Sequence, residues 1–482
     1  MLDAVSRSER TTHHAPRTTS SPTTHHPPLP LLPMTARSSL GPLVGSGQRL
    51  FGTDGVRGIA NVELTSELAL AIGRAAGLQL SAGPVVIGRD TRRSGEMLSM
   101  ALQAGFQSAG IDTIEVGVMP SGGISYLTAE SGATMGAIVS ASHNPAADNG
   151  IKLLTAEGTK LSDSEEDRIE QLLGTSVDPG GNPGTRLFDT GAFDRYVSFL
   201  AGAAQYSYRG LELVIDAANG AAFQAAPAML RMLGATVEEW AVEPDGYNIN
   251  LGCGSTYPEF LAGKVDGRIG LAFDGDADRL LAFDEDGLPL DGDVIMAIIA
   301  RHWKSLGQLP GDQVVVTVMS NLGFRRSMES AGIAVVETRV GDRYVLEEMH
   351  ARNAILGGEQ SGHIIFLDKG RTGDGLLTAV RLLDVVAGTG LELRKLRREA
   401  MTSYPQVLRN VRVGRGVQLE GANEVWKAVR QAETDLGDDG RILVRASGTE
   451  PVVRVMVEAA SQDSAVGYAD RLAEVVAREL AT

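Results

Sequence analysis

The sequence predicts an α/β protein: three related α/β domains with mixed, largely parallel sheets, followed by a smaller C-terminal α+β domain. Three observations carry this. Short apolar, β-branched runs recur, each giving way to a polar or glycine loop and then a helical stretch, as βαβ units with buried strands require. The unit returns three times along 482 residues, a length too great for one ordinary core. After residue 400 the rhythm changes, and two apolar runs flank a polar loop before a final helix.

Taken in order, helical patterns occupy 68–80 and 96–109, on either side of Val85-Val86-Ile87 and its loop Gly88-Arg89-Asp90. Leu213-Val214-Ile215 runs into Asp216-Ala217-Ala218-Asn219-Gly220, and Val314-Val315-Val316 into Met319-Ser320-Asn321. The last domain holds Ile442-Leu443-Val444, a run over 452–457, and a helix with Leu472, Val475 and Val476. These elements place the domains at 48–190, 191–295, 296–400 and 401–482. Residues 1–47 stand apart, with seven of the 19 prolines, four of the eight histidines and no periodic hydrophobicity. Such a segment cannot bury enough surface to offset its ordering entropy, so it reads as a disordered N-terminal extension. It has no signal-peptide core and its prolines break any transit helix; a translation start at Met34 is the simpler account.

Hydrophobic residues make up 43% and charged residues 22%, the balance of a soluble globular protein. No apolar run approaches the roughly 18 residues that span a bilayer. A net charge of −16 disfavours nucleic acid and anionic membranes, so an anionic substrate must find its cations locally. Cys253 is the only cysteine, which excludes an intramolecular disulfide and a thiolate metal cluster and fits a cytoplasmic protein. It reads as a small buried hydrophobe.

Five segments carry chemistry. Ser140-Ala141-Ser142-His143-Asn144-Pro145 follows the strand-like 136–139 and presents a serine on a turn, with Lys152 close behind in sequence. Plain turn chemistry also accounts for Ser and Asn-Pro. Asp274-Gly275-Asp276-Ala277-Asp278-Arg279 sets three carboxylates at alternate positions, an arrangement that a hard cation relieves. An EF-hand is excluded because Arg279 stands where that loop needs its turn glycine. Gly357-Gly358-Glu359-Gln360-Ser361-Gly362-His363 offers acceptors and a donor suited to sugar hydroxyls. Arg445-Ala446-Ser447-Gly448-Thr449-Glu450-Pro451, with Arg454, suits a phosphate cradle built from small hydroxyl residues, glycine and two guanidinium groups. Phe51-Gly52-Thr53-Asp54-Gly55-Val56-Arg57-Gly58 surrounds one arginine with glycines.

Together these segments resemble the α-D-phosphohexomutase family, most of all its branch acting on glucosamine phosphate, from about Leu50 to the C-terminus. The resemblance implies four domains around a central cleft, each giving it one loop. It implies that Ser142 carries the transferred phosphoryl group, and that Asp274, Asp276 and Asp278 with a phosphoserine oxygen bind one Mg2+ per subunit. Glu359 and Ser361 would read sugar hydroxyls, while Arg445, Ser447, Gly448, Thr449 and Arg454 would hold the phosphate that is not reacting. Arg57, Lys152, His143, Arg279 and His363 would stabilise charge or move protons, with Lys152 favoured over His363 as general base. Gly341, Asp342 and Arg343 would form a further substrate loop. The implied reaction converts glucosamine 6-phosphate to glucosamine 1-phosphate through a 1,6-bisphosphate, feeding UDP-N-acetylglucosamine synthesis. Because that intermediate must turn within a closed cleft, a lid on the linker near residue 400 is expected. The same chemistry on glucose or mannose phosphates, and a silent sugar-phosphate-binding protein, are the alternatives. A phosphosugar is the expected partner, with no nucleic acid or membrane and with room for a homodimer.

Overall fold

A computed structural model describes residues 49–52, 54–173, 181–414, 419–446 and 451–480. The expected extension, residues 1–47, lies outside them. The first sheet contains β1 (Val56–Ile59), β2 (Val85–Arg89), β3 (Thr113–Val118), β4 (Met135–Val139), β5 (Asp148–Leu154) and β6 (Arg186–Phe188), in the order β1-β5-β4-β2-β3-β6. Strands β4, β2, β3 and β6 run parallel, while β5 and β1 close one side antiparallel. The second sheet has β7 (Glu212–Asp216), β8 (Thr236–Trp240), β9 (Ile269–Phe273), β10 (Leu280–Phe283) and β11 (Pro289–Leu290), ordered β11-β10-β9-β7-β8. The third has β12 (Gln313–Thr317), β13 (Ala334–Thr338), β14 (Leu356–Gly358) and β15 (Ile364–Phe366), ordered β13-β12-β14-β15. Both are parallel except for β10, β11 and β15. The last sheet, β16 (Gln406–Arg412), β18 (Val452–Ala459) and β17 (Gly440–Ala446), is wholly antiparallel.

The apolar runs that announced these strands are buried because helices cover them. β4 and β9 are buried along their whole length, and Val314, Val315 and Val316 of β12 have no exposed surface. The expected first helix forms over Ser66–Gly77, with the Thr65 side chain accepting from the Leu68 amide, and so ends before residue 80. The second forms over Gly95–Ser108. Among the described residues no helix is long and apolar enough to cross a membrane.

One apolar core runs continuously from the first sheet through the second and third, ending at Ala400. The fourth sheet has a separate core built from Val407, Val453, Val455 and the final helix. Its junction with the third sheet is polar. Arg441 and Glu458, cross-strand partners on β17 and β18, pair at 2.9 Å. Arg441 donates to the carbonyls of Val318 and Ser320 at 2.9 Å, and Glu458 accepts the amide of Leu322 at 3.1 Å. Asn321 bonds Tyr404 in both directions at 2.9 Å.

Beside this junction lies Asp293, fully buried, its Oδ2 accepting the Asn321 amide at 2.7 Å. Burial, with the Asp291 carboxylate adding to it, pushes its pKa up to about 8. The folded protein thus keeps a proton that the unfolded chain releases near the ordinary carboxylate pKa, and stability falls as pH rises from about 4 to 8. Asp293→Asn lacks this slope. It should match the wild type near pH 5 and melt several degrees above it at pH 8.5, as thermal unfolding across that range would reveal; parallel curves would contradict the assignment.

Candidate active site

Ser142, Asp274, Glu359 and Arg445 stand at or just beyond the carboxyl ends of β4, β9, β14 and β17, where ligand sites of α/β sheets collect. Ser142 follows β4 with a left-handed φ of 50°. Its Oγ is buried and donates to Asp274 Oδ2 at 2.5 Å, and His143 Nδ1 lies 3.4 Å from the same oxygen. Gly275 permits this approach, since a Cβ there would stand 2.5 Å from the Ser142 carbonyl oxygen.

Asp274, Asp276 and Asp278 are all buried, with one oxygen of each within 4.8 Å of the others. Ser121 donates its amide to the Asp276 carbonyl oxygen at 2.9 Å and its hydroxyl to Asp276 Oδ2 at 2.7 Å. Asp276 Oδ1 and Asp278 Oδ1 are buried without a hydrogen-bond partner. Three hard carboxylates with two unsatisfied buried oxygens fit a hard divalent cation. Asp274 and Asp278 are driven in opposite directions. Burial, then Asp278 and Asp276, raise Asp274 well above the carboxylate range. Asp278 is held far below it against burial, chiefly by His363 and Arg279.

Arg57, Arg279 and His363 line, with Ser142 and Asp278, a cavity of about 390 Å³. Arg57 sits on the edge strand β1 opposite Gly150 and pairs with Asp54 at 3.3 Å. Lys152, on β5, stands 3.9 Å from the same carboxylate. Burial opposes its charge, but Asp54, Asp342 and Asp278 outweigh burial and raise its pKa, so it is an ammonium. His143 moves the other way, lowered by burial, Arg279 and Arg57 to a neutral imidazole. For His363, burial lowers the pKa and Asp278, 3.3 Å from Nδ1, more than offsets it, to about 9. The amide of Gly373 donates to Nε2 at 3.2 Å, a contact only the neutral ring accepts, and so works against the charge that Asp278 favours.

Glu359 lines the cavity and accepts the amide of Gly341 at 3.1 Å, and Ser361 lies 3.5 Å from its other oxygen. Burial raises the Glu359 carboxyl. Asp342 and Arg279 line the same space, with Arg279 Nε 3.7 Å from Asp278. Arg445 and Arg454 are direct cross-strand partners facing the cavity. Like charges opposed in this way repel, and burial with Arg454 lowers the Arg445 pKa; an anion between them relieves both effects. Ser447, Gly448 and Thr449 lie outside the described residues. Arg343 does not join this group: it pairs with Asp163 at 2.6 Å and Glu347 at 2.7 Å. Cys253 is buried, and burial pushes its thiol up to about 12.

Sequence reasoning missed the supports. Asp54 neutralises Arg57 and Lys152 from within a segment already singled out. Arg92, Asp90 and Asn250 surround the backbone of Ser142. For the first two the available signal was their place in the loop at the carboxyl end of β2.

Four domain families of phosphoglucomutase/phosphomannomutase match the chain in order. They are alpha/beta/alpha domain I over residues 48–177, domain II over 194–287, domain III over 291–404, and the C-terminal domain over 408–475. A phosphoglucosamine mutase of Desulforamulus reducens is 49% identical over 440 residues, covering 89% of this chain and 99% of its own. One from Staphylococcus aureus is 47% identical over 443 residues, covering 89% and 98%. A solved phosphoglucomutase/phosphomannomutase family protein from Burkholderia thailandensis superposes with a TM-score of 0.76 at 27% identity, covering 89% of this chain and 97% of that one.

Proposed function

The chain belongs to the phosphoglucomutase/phosphomannomutase family, and from that membership we propose that it interconverts glucosamine 6-phosphate and glucosamine 1-phosphate. It is a phosphosugar mutase, an intramolecular phosphotransferase, as its near-full-length relatives are named. The observation that carries the mechanism is Ser142 Oγ, 2.5 Å from Asp274, in a cavity also lined by Glu359 and the Arg445–Arg454 pair.

The active form carries a phosphoryl group on Ser142. In the first transfer its bond to Oγ breaks and a bond to O1 of glucosamine 6-phosphate forms, while the O1 proton ends on Ser142 Oγ. The 1,6-bisphosphate turns around, its 6-phosphoryl returns to Oγ and the proton goes to O6, leaving glucosamine 1-phosphate. Neutral His143, 3.4 Å from Oγ, suits the proton relay better than charged Lys152, the residue first expected to accept that proton. Lys152, Arg57 and Arg279 offset charge on the transferring group. Asp274, Asp276 and Asp278 would hold Mg2+ with an oxygen of the phosphoserine, and the bound ion would neutralise phosphoryl charge. Glu359 and Ser361 read hydroxyls, and the arginine pair cradles either phosphate in turn. A reducing cytoplasm accords with the single buried thiol.

Phosphorus NMR of the phosphorylated protein with Mg2+, offered glucosamine, glucose and mannose 6-phosphates separately, tests this. Conversion of glucosamine 6-phosphate far ahead of the others is expected. Equal or faster turnover of glucose or mannose phosphate would keep the chemistry and overturn the sugar.

A further inference from the structure

We propose that Arg92 and Asn250 are positioning residues that hold the Ser142 loop in one conformation through both halves of the transfer cycle; this rests on the phosphoserine reading above. The Arg92 side chain is wholly buried. Its guanidinium donates to the carbonyl oxygens of Ser142 at 2.9 Å, Asn144 at 2.8 Å and Asp148 at 3.0 Å, and to that of Pro145. Asn250 Nδ2 reaches the first two from the loop between β8 and β9, at 2.9 and 3.1 Å. The Ser142 and Asn144 carbonyls each receive one donor from the first sheet's loops and one from the second's, which fills both lone pairs.

The same ion pair governs the other side of Ser142. Arg92 Nε binds Asp90 Oδ2 at 2.8 Å, and that oxygen also accepts Ser140 Oγ at 2.6 Å. Ser140 Oγ in turn accepts the Ser142 amide at 3.0 Å. The N–H and the C=O of Ser142 therefore trace to one buried pair, which accounts for a serine held at positive φ. Asn250 ties that backbone to the second sheet, whose next loop carries Asp274.

Each cycle adds and removes about two negative charges at Ser142 Oγ, beside three carboxylates. A loop held only through its side chain would shift with that charge. The carbonyl oxygens that Arg92 and Asn250 hold are acceptors whether or not Oγ is phosphorylated, so these bonds keep Oγ in register for donation and for return. Misplacement near 1 Å costs on the order of 100-fold in rate. The effect falls on transfer, because the non-reacting phosphate and the sugar hydroxyls are held elsewhere in the cavity.

The test compares the full-length wild type with Arg92→Lys and Asn250→Ala, using Mg2+ and glucosamine 6-phosphate. It reads kcat, KM, Tm and, by intact mass during turnover, the phosphorylated fraction of Ser142. An ammonium cannot span four carbonyls, so Arg92→Lys should lose about 100-fold in kcat and Asn250→Ala about tenfold, with KM within about threefold. The phosphorylated fraction should fall in both, because return transfer fails more often. Wild-type kcat and phosphorylation in Asn250→Ala would overturn the proposal, whether or not Arg92→Lys folds. Equal erosion of kcat and apparent affinity, tracking lost Tm, would overturn it too. A wild type that turns over with no phosphate on Ser142 would instead overturn the phosphoserine reading beneath it.

Discussion

Ser142→Ala is expected to have no measurable turnover, a loss of at least about 10⁴-fold. The methyl group cannot form the bond to phosphorus, and no neighbour substitutes for the lost oxygen. Ser140 Oγ is committed to Asp90 at 2.6 Å. His143 Nδ1 approaches the lost oxygen only to 3.4 Å and belongs to a different stretch of side chain. The fold should survive. Ser142 Oγ makes one strong contact, to Asp274, a carboxyl that burial already drives toward its protonated form. The backbone hydrogen bonds of Ser142 run through its N–H and C=O, which alanine keeps. Tm should therefore change by a few degrees at most, and the bisphosphate should bind within about threefold of the wild-type affinity. A coupled assay for glucosamine 1-phosphate with calorimetry on the same sample would decide. Activity within tenfold of the wild type in a folded variant would end the phosphoserine mechanism.

Stripping divalent metal should cost at least about 1,000-fold in turnover, restored by Mg2+. Two carboxylates no more than 4.8 Å apart repel by at least about 3 kcal/mol at an effective dielectric constant near 20, and the site holds three. Without a cation the cheapest relief is a proton, and the raised carboxyl of Asp274 takes it. Proton and cation then compete. At low pH the proton stays and metal binds weakly; as pH rises the proton leaves and metal binds tightly. The gain in Tm on adding Mg2+ should be larger at pH 8 than at pH 5.5. Turnover that persists through chelation, with Tm indifferent to Mg2+ at both pH values, would remove the metal from this reading.

The sequence displayed the acidic loop because its three carboxylates lie within five residues, so their convergence is a local property of one turn. The opposed arginines were legible for a similar reason: a single hairpin brings Arg445 and Arg454 into register. Arg92 and Asn250 were not, because their roles exist only across 50 and 108 residues of chain. In sequence Arg92 is one of two adjacent arginines in a polar turn, and nothing local separates the buried one from its neighbour. Arg343 shows the converse. Its motif was visible, but the helix Asp342–Arg352 carries its side chain to Asp163 and Glu347 instead of into the cavity. For the fold, the buried central strands were readable from their apolar runs. The edge strand β6 was not, since its three residues are exposed and carry no alternation.

The β17–β18 hairpin bears opposite charges at one end and like charges at the other. Arg441 and Glu458 hold the end against the third sheet, and Arg445 and Arg454 face the cavity at the far end. Arg445 lies four residue steps beyond Arg441 along β17, a lever arm of about 13 Å. A rotation of roughly 15° about the anchored end would sweep the guanidinium groups through about 3.5 Å. A stiff hairpin fixed at its charged end would therefore magnify a small angular change at that junction into a full hydrogen-bond length at the cavity.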